Sequence, residues 1–247
     1  MFRTSSLFHF NHGDHACVFY RNEESLREVL SPYIADGLRR GERCFCAQTP
    51  QICKQLLNDL RFLGIDTDQA IQRGALELHT CEEAYFPNGK FQPETMIELL
   101  LHSMEDAWRR GFTALRTAGE LSWALEGKAD CDQLLSYEKL VDDLFPGKAV
   151  TGLCQYRIQS FSPAILQSVV DAHRFHMSQE NPRAFHTGIT VRNGACWTEI
   201  VADKLVVNPP HYYVVQRRED HQVLGWGVAP TFDEANTQAS RVIQSSC

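Results

Sequence analysis

The chain has no apolar run of about 18 residues, so no transmembrane helix is expected, and its amino-terminal stretch lacks the long apolar core of a signal peptide. The expected location is therefore the cytoplasm. Positive charge is scarce: 24 Lys and Arg stand against 31 Asp and Glu, a net charge of −7 and a pI of about 5.8. Such a balance offers no field for a phosphate backbone, and the nearest basic groupings (Arg39, Arg40 and Arg43; Arg217 and Arg218) are too small to make one locally. No direct nucleic-acid partner is expected.

Chemical motifs are scarce too. The nine cysteines are odd in number, irregularly spaced and contain no Cys-x-x-Cys pair, which fits reduced thiols better than a disulfide framework. There is no Gly-x-Ser-x-Gly elbow, no cysteine with a clear histidine partner and no His-x-x-x-His pair with an acid, so nucleophilic and standard metallohydrolase chemistry lose their usual signatures. A P-loop is missing as well. After the first apolar run the chain reads YRNEESL (20–26), without the glycines and lysine that cradle phosphates, and Glu23 and Glu24 would repel a triphosphate. Ordinary ATP hydrolysis is not the expected activity.

What is present is an alternation of strands and helices. With 43% hydrophobic residues, the 247-residue chain can bury one large core or a core and a small appendage. Apolar runs at 15–20, 42–48, 76–80, 112–118 and 149–156 read as strands. Between them lie helical stripes such as Leu26, Val29, Leu30, Tyr33, Ile34 and Leu38, and Met96, Ile97, Leu100, Met104 and Ala107. Five such strands over 15–175 predict a mostly parallel sheet covered on both faces. The stretch 81–90 reads as a loop with a turn at Asn88 and Gly89, and Asn181 and Pro182 mark another loop. Beyond about residue 186, short antiparallel strands at 188–191, 212–216 and 223–228 and a last helix capped by Thr231 suggest a small β-rich appendage. The expected division is residues 1–186 and 187–247.

The stretch RTAGELSW (116–123) is oddly polar for a buried strand end. A carboxylate and an indole just past Gly119 suit a ligand at the carboxyl ends of the strands, the usual site in open α/β sheets. Glu120 would accept hydrogen bonds from a ligand or act as a base, or else pair with Arg116 or cap a helix. Trp123 would line the pocket wall or pack against the sheet edge. His15 and Cys17 share a strand face because side chains alternate with period two, and Asp14 is placed to orient the imidazole. They could join Cys44, Cys46 or Cys154 around zinc or haem iron. The competing reading makes the cysteines small core hydrophobes and leaves His15 a local hydrogen bond. His173 and His176, three apart at a helix end with no cysteine nearby, could bind a metal weakly but read as solvated.

The blocks GDHACVFY (13–20), GERCFC (41–46), RTAGELSW (116–123) and LCQY (153–156), in this order over roughly residues 8–180, resemble the MEDS family, the methanogen/methylotroph sensory domain. The resemblance implies a RecA-like core related to the KaiC ATPases and a sensory, non-catalytic role. Members of that family occur in a repressor that responds to dichloromethane and beside histidine kinases, and the family has been proposed to recognise small hydrocarbon derivatives. In a RecA-like strand order Tyr20 and Tyr156 end neighbouring strands and could present hydroxyls to the crevice, with Gln155 beside them. The expectation is a cytoplasmic module that binds a small molecule through His15, Cys17, Tyr20, Cys46, Glu120, Trp123 and Tyr156. It would signal to a partner such as a histidine kinase or transcription regulator, with a homodimer possible. Two alternatives stay open: a nucleotide-hydrolysing enzyme with Glu120 as base, and a metal or haem sensor using His15, Cys17, Cys44 and Cys46. No cofactor is named by the sequence.

Overall fold

A computed structural model describes residues 10–87, 89–125, 131–173, 175–178, 186–203, 211–219 and 222–246. The turn expected at Asn88 and the loop at Asn181 and Pro182 lie outside these residues. In chain order the first part contains β1 (His15–Tyr20), α1 (Glu23–Arg39), β2 (Arg43–Gln48), α2 (Pro50–Phe62), α3 (Thr67–Gln72), β3 (Leu76–Thr80), α4 (Cys81–Tyr85) and α5 (Pro93–Arg109). Then come β4 (Leu115–Glu120), a 3-10 turn (Ser122–Leu125), α6 (Cys131–Leu144), β5 (Val150–Arg157), α7 (Pro163–Ala172) and β6 (Phe175–Ser178). The tail adds β7 (His186–Asn193), β8 (Cys196–Asp203), β9 (His211–Arg217), β10 (Val223–Ala229) and α8 (Phe232–Ser246).

All ten strands form one sheet in the order β10-β9-β8-β7-β6-β1-β5-β4-β2-β3. Neighbours from β3 to β6 run parallel, and β6 to β10 run antiparallel. The expected parallel sheet is therefore present, with a sixth strand that periodicity missed. β6 has only four residues, too few for a repeat to show, and it joins the parallel strands to the antiparallel tail. β8 and α4 were also not foreseen. The tail strands continue the main sheet edge to edge, and α8 contributes Phe232, Ala235 and Ala239 to the same buried cluster as α1 and α2. No helix among the described residues is long and apolar enough to cross a membrane.

Local chemistry explains the main elements. Asn22 and Ser25 form a reciprocal capping box at the start of α1, with Glu23 and Glu24 in the first turn where the helix dipole favours them. The residues that replace a P-loop thus close a helix terminus that a phosphate would otherwise approach. Thr49 caps α2 with Pro50 behind it, and Ser162 caps α7 with Pro163 behind it.

The sheet has two faces with separate chemistry. Even-numbered residues of β1, β2 and β4 point to α1, α2 and α3, whereas odd-numbered ones point to α4, α5, α6 and α7. On the first face Arg116, fully buried, donates from Nε to Glu42 (2.5 Å), from Nη2 to Asp36 (3.1 Å) and from Nη1 to the Tyr33 carbonyl (3.0 Å), while its guanidinium lies 4.6 Å from the Tyr33 ring. Arg116 therefore ties β4 to α1 and to the start of β2.

On the second face, Gly119 leaves room for the Tyr85 hydroxyl, which a Cβ at this position would strike. β4 does not break at Gly119, as expected from the sequence, but runs on to Glu120. The glycine is needed for this approach rather than for a turn. Tyr85 is a rigid ring stacked near Trp123 and Phe91 and cannot swing aside cheaply. Gly119→Ala is expected to lower stability by about 1–3 kcal/mol through overpacking, measured as a fall in the urea midpoint at unchanged m-value.

Candidate functional site

At the carboxyl ends of the strands, on the α1 face, four polar side chains interleave from neighbouring strands. Tyr20 of β1 donates to Glu120 Oε1 (2.8 Å), which also accepts from the Ser122 backbone N–H (2.9 Å). Gln48 of β2 donates from Nε2 to Gln155 Oε1 of β5 (3.1 Å). Both glutamines are fully buried, and among the described residues Gln48 Oε1 and Gln155 Nε2 have no hydrogen-bond partner. Burial, and then the Glu120 carboxylate, push Tyr20 well above the ordinary phenol range, so it remains a donor. Arg116 is not the partner of Glu120, because it is engaged by Glu42 and Asp36. Trp123 packs among Tyr85, Phe86 and Phe91 with ring centroids 4.7–4.9 Å apart and is 4% exposed. Trp123 is thus part of an aromatic core, and at the strand ends Tyr20 pairs with Glu120 and Gln48 with Gln155.

A second polar cluster lies on the opposite face, toward the amino end of β1. The register pairs His15 with Gly152 and Cys17 with Cys154, so parallel pairing places His15, Cys17 and Cys154 side by side. Above them, α6 offers Glu138 from the stripe Leu134, Glu138, Val141, where positions i, i+4 and i+7 share one helix face. His173, at the C-cap of α7, completes the group. His15 Nε2 and His173 Nε2 each lie 3.2 Å from Glu138 Oε2, and His15 Nε2 lies 3.3 Å from the Cys154 sulfur. Ligand atoms of His15, Glu138, Cys154 and His173 all fall within 4.8 Å of one another, and all four residues are buried.

Outer contacts hold each of these groups. His173 Nδ1 donates to the Val169 carbonyl (2.7 Å), Tyr156 donates its hydroxyl to Glu138 Oε1, and Asp142 Oδ1 lies 3.6 Å from His15 Nδ1. Burial alone would raise Glu138, but the charges and hydrogen bonds of His173 and His15 hold its carboxyl well below the usual range. Burial would lower His173, yet the Cys17 sulfur and Glu138 raise it to about 9. His15 is also raised, because Asp142 and Glu138 outweigh its desolvation. Burial, followed by Glu138, pushes the Cys154 thiol up.

Beside the cluster, at the amino end of β1, lies a cavity of about 560 Å³ that His15 borders. Its walls come from His12, Asp14 and His15, from Asp142 of α6, and from Gly194 and Arg218 of the tail. Arg218 is held by Asp171 (2.5 Å) and lies over the Trp197 ring.

The sequence-predicted residues therefore divide between two places. His15, Cys17 and Tyr156 gather with Cys154 on the α6 and α7 face, while Tyr20 and Glu120 meet on the other face. Cys44 and Cys46 are buried against α1, with the Cys44 thiol directed at the Ile34 carbonyl (3.8 Å). They cannot share an ion with His15 and Cys17, because they face the opposite side of the sheet and β4 and β5 separate their strands. Asp14 Oδ2 accepts from the Asn11 N–H, and Asp142 Oδ1 lies beside the His15 imidazole. His173 is fully buried rather than solvated. Glu138, Asp142 and His173 were missed. The available signal was a glutamate inside an apolar helical stripe.

Comparison with known proteins now adds to this geometry. A family model described as the methanogen/methylotroph, DcmR sensory domain matches residues 14–174, which include every member of the buried cluster. The transcriptional repressor DcmR of Methylorubrum extorquens is 27% identical over 167 residues, covering 66% of this chain and 58% of that protein. This chain thus spans just over half the length of that relative. Among solved structures, the uncharacterized protein PH0321 of Pyrococcus horikoshii, crystallised with an unknown peptide, superposes with a TM-score of 0.51 at 9% identity over 87% of this chain and 92% of that one. The KaiC-like protein PH0186 of the same organism gives a TM-score of 0.44 at 9% identity, covering 89% and 90%. At these identities the likeness concerns the fold alone, a mostly parallel α/β sheet. By the match over residues 14–174, the chain belongs to the MEDS family of sensory domains.

Proposed function

We propose that this chain receives a small molecule in the cavity at the amino end of β1 and passes its state to a partner protein, such as a histidine kinase or a transcription regulator. The observation that carries this reading is the composition of the cavity wall. His12, Asp14, His15 and Asp142 belong to the parallel core and Gly194 and Arg218 to the antiparallel tail, so one bound molecule touches both parts. A ligand with different affinity for two arrangements of those parts biases between them, which is what sensing requires. The ligand class is a small polar or polarised molecule, including the hydrocarbon derivatives suggested for the family, because the wall is rich in charged and imidazole groups. The module is a receptor rather than a catalyst: Glu120 is committed to Tyr20 and Ser122, and no phosphate loop is present.

The output surface in this reading is the last hairpin, where Tyr212, Trp226 and Val228 are exposed on the side of the sheet away from α8.

A thermal-shift screen against small alcohols, halogenated hydrocarbons and short acids tests the reading. A ligand at a hundred times its Kd stabilises by about 2.7 kcal/mol, and Arg218→Ala is expected to weaken the response about tenfold while Glu120→Gln leaves it unchanged. If no compound shifts the melting temperature, or if Glu120→Gln abolishes the response and Arg218→Ala does not, the cavity is not the receiving site.

A further inference from the structure

The orientation of His173 sets the starting point. Its Nδ1 faces a carbonyl oxygen, which only accepts, so Nδ1 carries a hydrogen and Nε2 is the nitrogen directed at Glu138 Oε2, 3.2 Å away. The same oxygen lies 3.2 Å from His15 Nε2, and the Cys154 sulfur lies 3.3 Å from that nitrogen. Buried charges persist only when they are paired or coordinate a metal, and a metal cation can take the place of the protons that otherwise hold these four converging groups together.

We propose that His15, Glu138, Cys154 and His173 bind one zinc ion through His15 Nε2, His173 Nε2, Glu138 Oε2 and Cys154 Sγ. Ligand atoms about 2.0–2.3 Å from a tetrahedral zinc stand roughly 3.3–3.7 Å from one another; three of the six separations, 3.2, 3.2 and 3.3 Å, lie close to that edge, and the others stay within 4.8 Å. Two imidazoles, one thiolate and one carboxylate are borderline donors that suit zinc and exclude magnesium or calcium, which take oxygen ligands. The outer contacts are those a metal site requires. Val169 fixes the His173 tautomer, Asp142 sits behind the His15 ring, and Tyr156 orients Glu138. Binding converts the Cys154 thiol to thiolate and releases its proton to solvent, with no redox change. The ion would lie behind His15, which borders the cavity described above, and only this link to a receptor rests on the proposed function.

Metal analysis of the purified chain is expected to find about one zinc per molecule, and X-ray absorption at the zinc edge should show one sulfur and three nitrogen or oxygen ligands. Cobalt substituted for zinc should give tetrahedral d–d bands and a thiolate charge-transfer band, the latter lost in Cys154→Ser while the d–d bands persist. Tyr156→Phe should weaken metal binding about 10–100-fold. Absence of metal after reconstitution, zero or four sulfur ligands, or a charge-transfer band indifferent to Cys154→Ser would overturn the proposal. The X-ray absorption measurement needs no variant and stands even where a variant fails to fold. A loaded zinc with no small-molecule response keeps the metal and removes the receptor reading, whereas a ligand response in a metal-free chain does the reverse.

Discussion

Arg116→Met is expected to lower the melting temperature by roughly 6–12 °C, because about 3 kcal/mol is lost and each kcal/mol is worth about 2–4 °C in a domain of this size. The cost arises from what the substitution leaves behind. Glu42 is fully buried and receives the Arg116 Nε at 2.5 Å, so removing the guanidinium strands a carboxylate in the core. Breaking such a pair from one side costs about 3–5 kcal/mol. Arg40, whose Nε lies 3.2 Å from Glu42, and His12 at 3.4 Å remain as partial partners, which places the effect at the low end. The double variant Arg116→Met with Glu42→Gln should recover part of the loss, since no buried charge is then left alone. A single variant as stable as the wild type would show that Glu42 finds water when Arg116 is gone. The first residue of the RTAGELSW block thus serves to join α1 to β4 and has no path to a ligand.

Trp123→Ala is expected to cost about 3–5 kcal/mol, the range for emptying an aromatic site in a packed core. Its indole meets Tyr85, Phe86 and Phe91 at centroid distances of 4.8, 4.9 and 4.7 Å, and these rings are themselves buried. Trp123→Phe should lose much less, because a second ring still fills most of the volume. Urea unfolding of both variants checks the difference. If Trp123 instead lined a ligand pocket, its truncation would leave stability nearly intact and abolish the response to small molecules. That outcome would return the binding site to the carboxyl ends of the strands.

Periodicity was enough to place the parallel core. Apolar runs flanked by Gly41, Pro50, Gly111 and Pro163 marked β1, β2, β4 and β5 closely, since caps and breakers act within a few residues of where they stand. The site was legible only by halves. His15 and Cys17 were paired by strand alternation, which is local. Glu120 was singled out as a carboxylate at a strand end, yet its partner Tyr20 is 100 residues away and could not be read from spacing. His173 at a helix end reads as solvated until the fold brings it against the His15 ring, with centroids 4.1 Å apart, and Glu138. Glu138 could have been found as the one acid in the stripe Leu134, Glu138, Val141, where a glutamate has no reason to sit unless something buried needs it.

Sequence alone thus settled the class of fold, the absence of a phosphate loop and the faces on which alternating residues of a strand must lie. These follow from rules that act over one or two turns of chain. Which side chains share a site was decided by strand order and register. The order β1-β5-β4-β2 sets His15 beside Cys154 and keeps it apart from Cys44 and Cys46, which carry the same chemistry on the other side of the sheet. Pairing among distant strands is a property of the whole packed chain, and no local pattern encodes it.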